Sequence, residues 1–103
     1  MATDQYHEQP ESMDEETKDF ARIITSLIEE AEAINWYQQR IAASKDKEVQ
    51  EIMKHAQEEE MEHFAIDLEW LLRRMPKWKG VLQSILFKGG DIIENAEAWE
   101  DSE

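Results

Sequence analysis

Three residues of this 103-residue chain have the types and spacing for metal chemistry: Glu30, Glu60 and His63. Glu30 falls seven residues after Ile23, three after Leu27 and four before Ile34, so a helix carries it on the face of those apolar side chains. A carboxylate there costs several kcal/mol, roughly, unless a partner or a cation meets it. Glu60-Met61-Glu62-His63 is Glu-x-x-His, a carboxylate and an imidazole one turn apart on a stripe shared with Ala56 and Trp70. A hard oxygen donor beside a borderline nitrogen donor suits iron. The plain alternative is a solvated acidic face, because Glu58, Glu59, Glu60 and Glu62 form a charge run. Glu30 on the neighbouring apolar stripe tips the reading towards a metal.

One chain then supplies one Glu and one Glu-x-x-His, which is half of a di-metal carboxylate template. A two-fold dimer brings four carboxylates and two imidazoles together. Two divalent cations neutralise that set. Without them, two of the charges about 4 Å apart already cost about 4 kcal/mol at an effective dielectric of 20. Metal is therefore expected to promote dimerisation.

The elements that must hold these residues are helical. No Gly or Pro lies between Glu11 and Met75, and no run alternates as a strand does. Residues 1–12 read as a polar, flexible tail. Ser12 and Glu15 match a capping box, which predicts a first helix from Met13 to about Ala43 with the stripe Phe20, Ile23, Ile24, Leu27, Ala31, Ile34 and Ile41. Residues 44–47 break it. A second helix is predicted from Lys47 to Arg74, with the stripe Val49, Ile52, Met53, Ala56, His63, Ile66, Trp70 and Leu71, and Pro76 stops it. A short helix over 77–88 and, after Gly89-Gly90, an amphipathic piece capped by Asp91 complete the chain. The expected organisation is a tail over 1–12, a helical hairpin with a short third helix over 13–88, and a C-terminal segment over 89–103. A hairpin of this kind has one contact seam and leaves much of each apolar face wet. The expected remedy is a homo-oligomer built from two hairpins as a four-helix bundle.

Charge and composition narrow the function. Eleven Lys and Arg against twenty-five Asp and Glu leave −14 at pH 7, which excludes phosphate-binding surfaces and favours cations. The same balance argues against an anionic membrane surface, and no apolar run approaches a membrane span. The absence of Cys excludes thiolate and iron–sulfur sites. The N-terminus lacks the basic and apolar regions of a secretion signal, so a cytoplasmic protein is expected.

The run Ile28-Glu29-Glu30-Ala31-Glu32-Ala33-Ile34-Asn35-Trp36-Tyr37-Gln38-Gln39-Arg40, with Glu58-Glu59-Glu60-Met61-Glu62-His63 and Leu68-Glu69-Trp70-Leu71, closely resembles the encapsulated ferritins from about His7 to Phe87. The resemblance implies an all-α half-ferritin of two long antiparallel helices, completed by homodimerisation, with dimers joined into a ring, typically a decamer. It implies a ferroxidase, oxidising Fe²⁺ to Fe³⁺ with O₂ or peroxide as acceptor, and an encapsulin shell that holds the mineral. The family's di-iron centre falls on Glu30, Glu60 and His63, with Tyr37 beside it. A site where iron enters falls on Glu29, Glu32 and Trp36, which also share one stripe; Trp36 reads equally well as an interface anchor. A further stripe, His55, Glu59 and Glu62, is similar to a secondary site for Ca²⁺ or another divalent cation. The ending Ala98-Trp99-Glu100-Asp101-Ser102-Glu103 does not look like the small, apolar targeting peptide of encapsulin cargo, so encapsulation rests on the resemblance alone. The alternatives are a rubrerythrin-like di-iron peroxide reductase, a non-catalytic acidic helical adaptor and a passive cation buffer.

Overall fold

The computed structural model describes residues 5–102, so the first four residues of the expected tail lie outside the described residues. Among the described residues the fold is all-α. A short 3-10 turn, Pro10–Ser12, precedes α1 (Glu15–Ala43), α2 (Lys47–Arg74), α3 (Pro76–Ile85) and α4 (Ile92–Ser102), and there is no strand.

The start of α1 differs from the capping-box expectation. Pro10, with its fixed φ, opens a 3-10 turn in which Ser12 N–H donates to Gln9 O at 2.9 Å and Met13 N–H to Pro10 O at 3.2 Å. Ser12 is thereby committed to that turn. Asp14 takes the N-cap instead, its Oδ1 accepting from Thr17 N–H at 2.8 Å. That hydrogen bond holds the Asp14 carboxyl below its usual range. The second boundary follows expectation. Ser44 ends α1, Asp46 Oδ1 accepts from Val49 N–H at 3.1 Å, and α2 begins at Lys47.

The chain divides into two compact units between Leu71 and Leu72. In the first, α1 and α2 pack together as an antiparallel hairpin, each about 42–43 Å long at about 1.5 Å per residue. Little of it is fully enclosed. Among the described residues only Leu71 and Gln57 are buried. The enclosed side of α2 runs through Met53, Gln57, Glu60, Phe64, Asp67 and Leu71, at steps of three and four. The stripe read from the sequence is rotated by about one residue. Val49, Ile52, His63 and Ile66 are exposed, Ile52 at 59% and Ile66 at 58%, and Ala31 of the α1 stripe is exposed as well. The rotation has a cause: the seam with α1 is lined partly by polar side chains, which an apolar count passes over. α2 therefore carries a second, outward heptad stripe that the hairpin alone leaves in water.

In the second unit Pro76 opens α3, and Asp91 Oδ1 caps α4 by accepting from Glu94 N–H at 2.9 Å. α3 stops at Ile85, three residues before the expected end, because Phe87 turns left-handed at φ +62° and is fully exposed. The helices meet at Gly80, where a Cβ would stand 2.7 Å from Cη2 of Trp99. Only glycine admits that ring so close to the α3 backbone.

Candidate metal centre

Glu30 is half-buried on α1, three residues after Leu27. Its Oε1 is shut from solvent and has no hydrogen-bond partner. Its carboxyl is pushed from an ordinary 4.5 up to about 7, first by desolvation, then by a hydrogen bond with Asp67 and by the charges of Asp67 and Glu60; His63 opposes the shift. A hydrogen bond between two carboxyls needs one proton, and the raised Glu30 carries it, donating to Asp67. Asp67 itself buries Oδ2 without a partner. The α1–α2 seam thus brings together Glu30, Glu60 and Asp67, with two enclosed acceptor oxygens unsatisfied. Bare acceptors in such a place are what a cation satisfies.

Glu60 and His63 are joined across one turn, Nδ1 of the ring lying 3.2 Å from Oε1 of Glu60. Towards a carboxylate only a ring N–H makes that contact, so Nε2 is the nitrogen left with a lone pair. The two side chains face different ways: Glu60 is 24% exposed, in the seam, and His63 is 51% exposed, on the outward stripe. Among the described residues of one chain, no three His, Asp or Glu side chains converge on a metal-sized position. A single chain holds carboxylates that suit iron but does not enclose an ion with them. The donor set fits a hard, borderline cation such as iron in chemistry and falls short in number.

The remaining candidates are spread along the same helices. Glu29 is exposed, and Glu32 is half-buried with Oε1 enclosed and unpartnered. Trp36 is 48% exposed and lines a shallow depression with Gln39 and Arg40. Tyr37, placed beside the centre by the family resemblance, lies about two turns along α1 from Glu30. The Arg40 guanidinium stacks over its ring at 5.3 Å. His55 Nε2 lies 3.2 Å from Glu59 Oε1 on the outer surface of α2, with Glu62 exposed one turn further on.

Asp67 is the residue that the sequence reading missed. Its signal was present: it lies seven residues after Glu60, four after His63 and three before Trp70. A search for Glu-x-x-His stops one turn short of it.

The EncFtn-like family model matches residues 5–89, and the chain belongs to that family. It is 46% identical over 94 residues to a ferritin-like protein of Thermotoga maritima, covering 91% of this chain and 82% of that one. It is also 46% identical over 93 residues to an encapsulated ferritin-like protein of Rhodospirillum rubrum, covering 88% of this chain and 66% of the relative. The crystal structure of a Nitrosomonas europaea protein superposes with a TM-score of 0.82 at 43% identity, covering 86% of this chain and 98% of that one. The resemblance noted in the sequence thus holds at the level of the family. Among the described residues no helix is long and apolar enough to cross a membrane.

Proposed function

We propose that this chain is a ferroxidase subunit. Two copies pair through the outward stripe of α2 and bring Glu30, Glu60 and His63 of each around one pair of iron ions. The observation that carries the reading is the seam carboxylate Glu30, with an enclosed, unpartnered Oε1 beside Asp67 and Glu60. The exposed His63 and the wet heptad Val49, Ile52, Ile66 support the pairing, since a partner hairpin would cover both.

Iron is the substrate: two ferrous ions give up one electron each, enough with two protons to take O₂ to hydrogen peroxide. The chain's part is electrostatic. Glu30 and Glu60 bind as carboxylates and favour the more highly charged ferric product, which eases electron loss. His63 contributes Nε2 while Glu60 fixes its ring through Nδ1. Iron must displace the Glu30 proton, which the neighbouring cationic charge makes favourable.

The finer points follow from the family. Glu29, Glu32 and Trp36 attract and admit Fe²⁺, Tyr37 lies beside the centre, and His55, Glu59 and Glu62 take Ca²⁺ or another divalent cation. Dimers join into a ring, a decamer, and an encapsulin shell receives the ferric product, so the protein works inside a cytoplasmic nanocompartment. The name of the Rhodospirillum rubrum relative supports the shell.

The test is anaerobic Fe²⁺ titration followed by O₂, with native mass measured alongside. One iron per chain, coupled to an even-numbered oligomer, is the expected result. Glu30→Ala, Glu60→Ala and His63→Ala each remove most of the rapid oxidation; wild-type rates in all three would refute the centre.

A further inference from the structure

We propose that Asp67 sets the charge of the iron centre through its contact with Glu30, so that the centre holds trivalent iron in preference to divalent iron. The inference rests on the shared centre proposed above. It starts from geometry. Glu60, His63 and Asp67 stand at i, i+3 and i+7 on α2, and the Asp67 carboxyl meets that of Glu30 across the seam. Each of the two acids also buries an oxygen that nothing in the chain satisfies, Oε1 of Glu30 and Oδ2 of Asp67. A helix pair that needed only a structural contact here would be better served by an amide or an apolar side chain than by two enclosed acids.

Charge decides what the extra acid does. Glu30 and Glu60 alone give a pair of chains four carboxylates, which match the +4 of two ferrous ions. With Asp67 the pair holds six, which match the +6 of two ferric ions. An added anion a few ångströms away acts on each unit of cation charge, so it favours +3 over +2, and weak screening between the helices preserves the effect. Asp67 is a positioning residue: it acts on iron through Glu30.

The test compares the full wild-type chain with Asp67→Asn, Asp67→Ser, Asp67→Glu and Glu30→Ala, each checked for helicity by circular dichroism. Co²⁺ binding is read from its ligand-field absorption, and Tb³⁺ binding from its luminescence. The expected result is about one Co²⁺ per wild-type chain, lost in Glu30→Ala. In Asp67→Asn and Asp67→Ser the Tb³⁺-to-Co²⁺ affinity ratio falls at least about tenfold. Asp67→Glu restores most of it. An unchanged ratio in both neutral variants overturns the role of Asp67 and leaves the ferroxidase reading standing. A ratio that falls equally in Asp67→Glu overturns it too, because shape rather than charge then matters. A wild-type chain that takes up neither ion refutes the centre itself, and the Asp67 role with it.

Discussion

The side-chain amide of Gln57 on α2 donates to the main-chain carbonyl of Ile34 on α1 at 3.1 Å, and its second N–H reaches Oε1 of Gln38 at 2.9 Å. One half-turn of helix separates this clamp from Glu60, and Ile34 lies one turn from Glu30. The clamp therefore fixes the register in which the seam acids face one another. Gln57→Ala removes both bonds and opens a small cavity. The expected cost is about 1–3 kcal/mol in denaturant unfolding of the purified protein. It should also lower Co²⁺ affinity with the ligands intact. Unaltered stability would show that the acids hold their register without it.

A pH dependence follows from Glu30, whose carboxyl sits at about 7 in the folded chain against an ordinary 4.5. Below 4.5 the group is protonated in both folded and unfolded chains, and its contribution to stability is fully present. As pH rises through about 7 the folded chain must ionise it beside Asp67 and Glu60, and the contribution is lost. The metal-free Tm should fall across this window in the wild type and fall less in Glu30→Gln. Parallel curves for the two proteins would contradict the assignment. Iron binding near neutral pH should release a proton per chain, measurable with a pH indicator, and the release should shrink well above pH 7.

The outward stripe of α2 predicts what dilution does. Ile52 and Ile66 are each more than half exposed and lie on a heptad with Val49 and His63. Ile52→Lys or Ile66→Lys should weaken self-association by tenfold or more, read by sedimentation velocity. Association unmoved by either change would mean that chains pair through another face.

His55 and Glu59 form an exposed i, i+4 pair at 3.2 Å, with the His side chain 80% exposed. Such a pair contributes little, and His55→Ala should shift stability by no more than about 0.5 kcal/mol. It should reduce weak Ca²⁺ binding, measured by calorimetry, and leave iron oxidation at the wild-type rate. A loss of oxidation would join this surface to the chemistry at the seam.

At Gly80 a methyl group would run into the Trp99 ring. Gly80→Val should therefore loosen α4 from α3 and accelerate amide exchange over 92–102, with α1 and α2 unaffected. Unchanged exchange there would mean that Trp99 repacks freely.

Most of the architecture was legible because its signals are local. Asp46 and Asp91 cap where expected, and Pro76 separates α2 from α3. The errors arose where residues act across space. Pro10 recruits Ser12 into a 3-10 turn and moves the cap to Asp14. The inner face of α2 is read wrongly by hydrophobicity, since Gln57 and Asp67 belong to it and Ile52 and Ile66 do not. Glu30, Glu60 and His63 were visible as misfits in a stripe. Asp67 became visible only through what it touches.

The scarcity of enclosed side chains in the hairpin reaches beyond the site. A newly made chain has little reason to settle alone, so on the pairing proposed above folding becomes a second-order event, paced by how often copies meet. The cell would then regulate the amount of working protein through local abundance, and neighbouring synthesis on one message would shorten the wait.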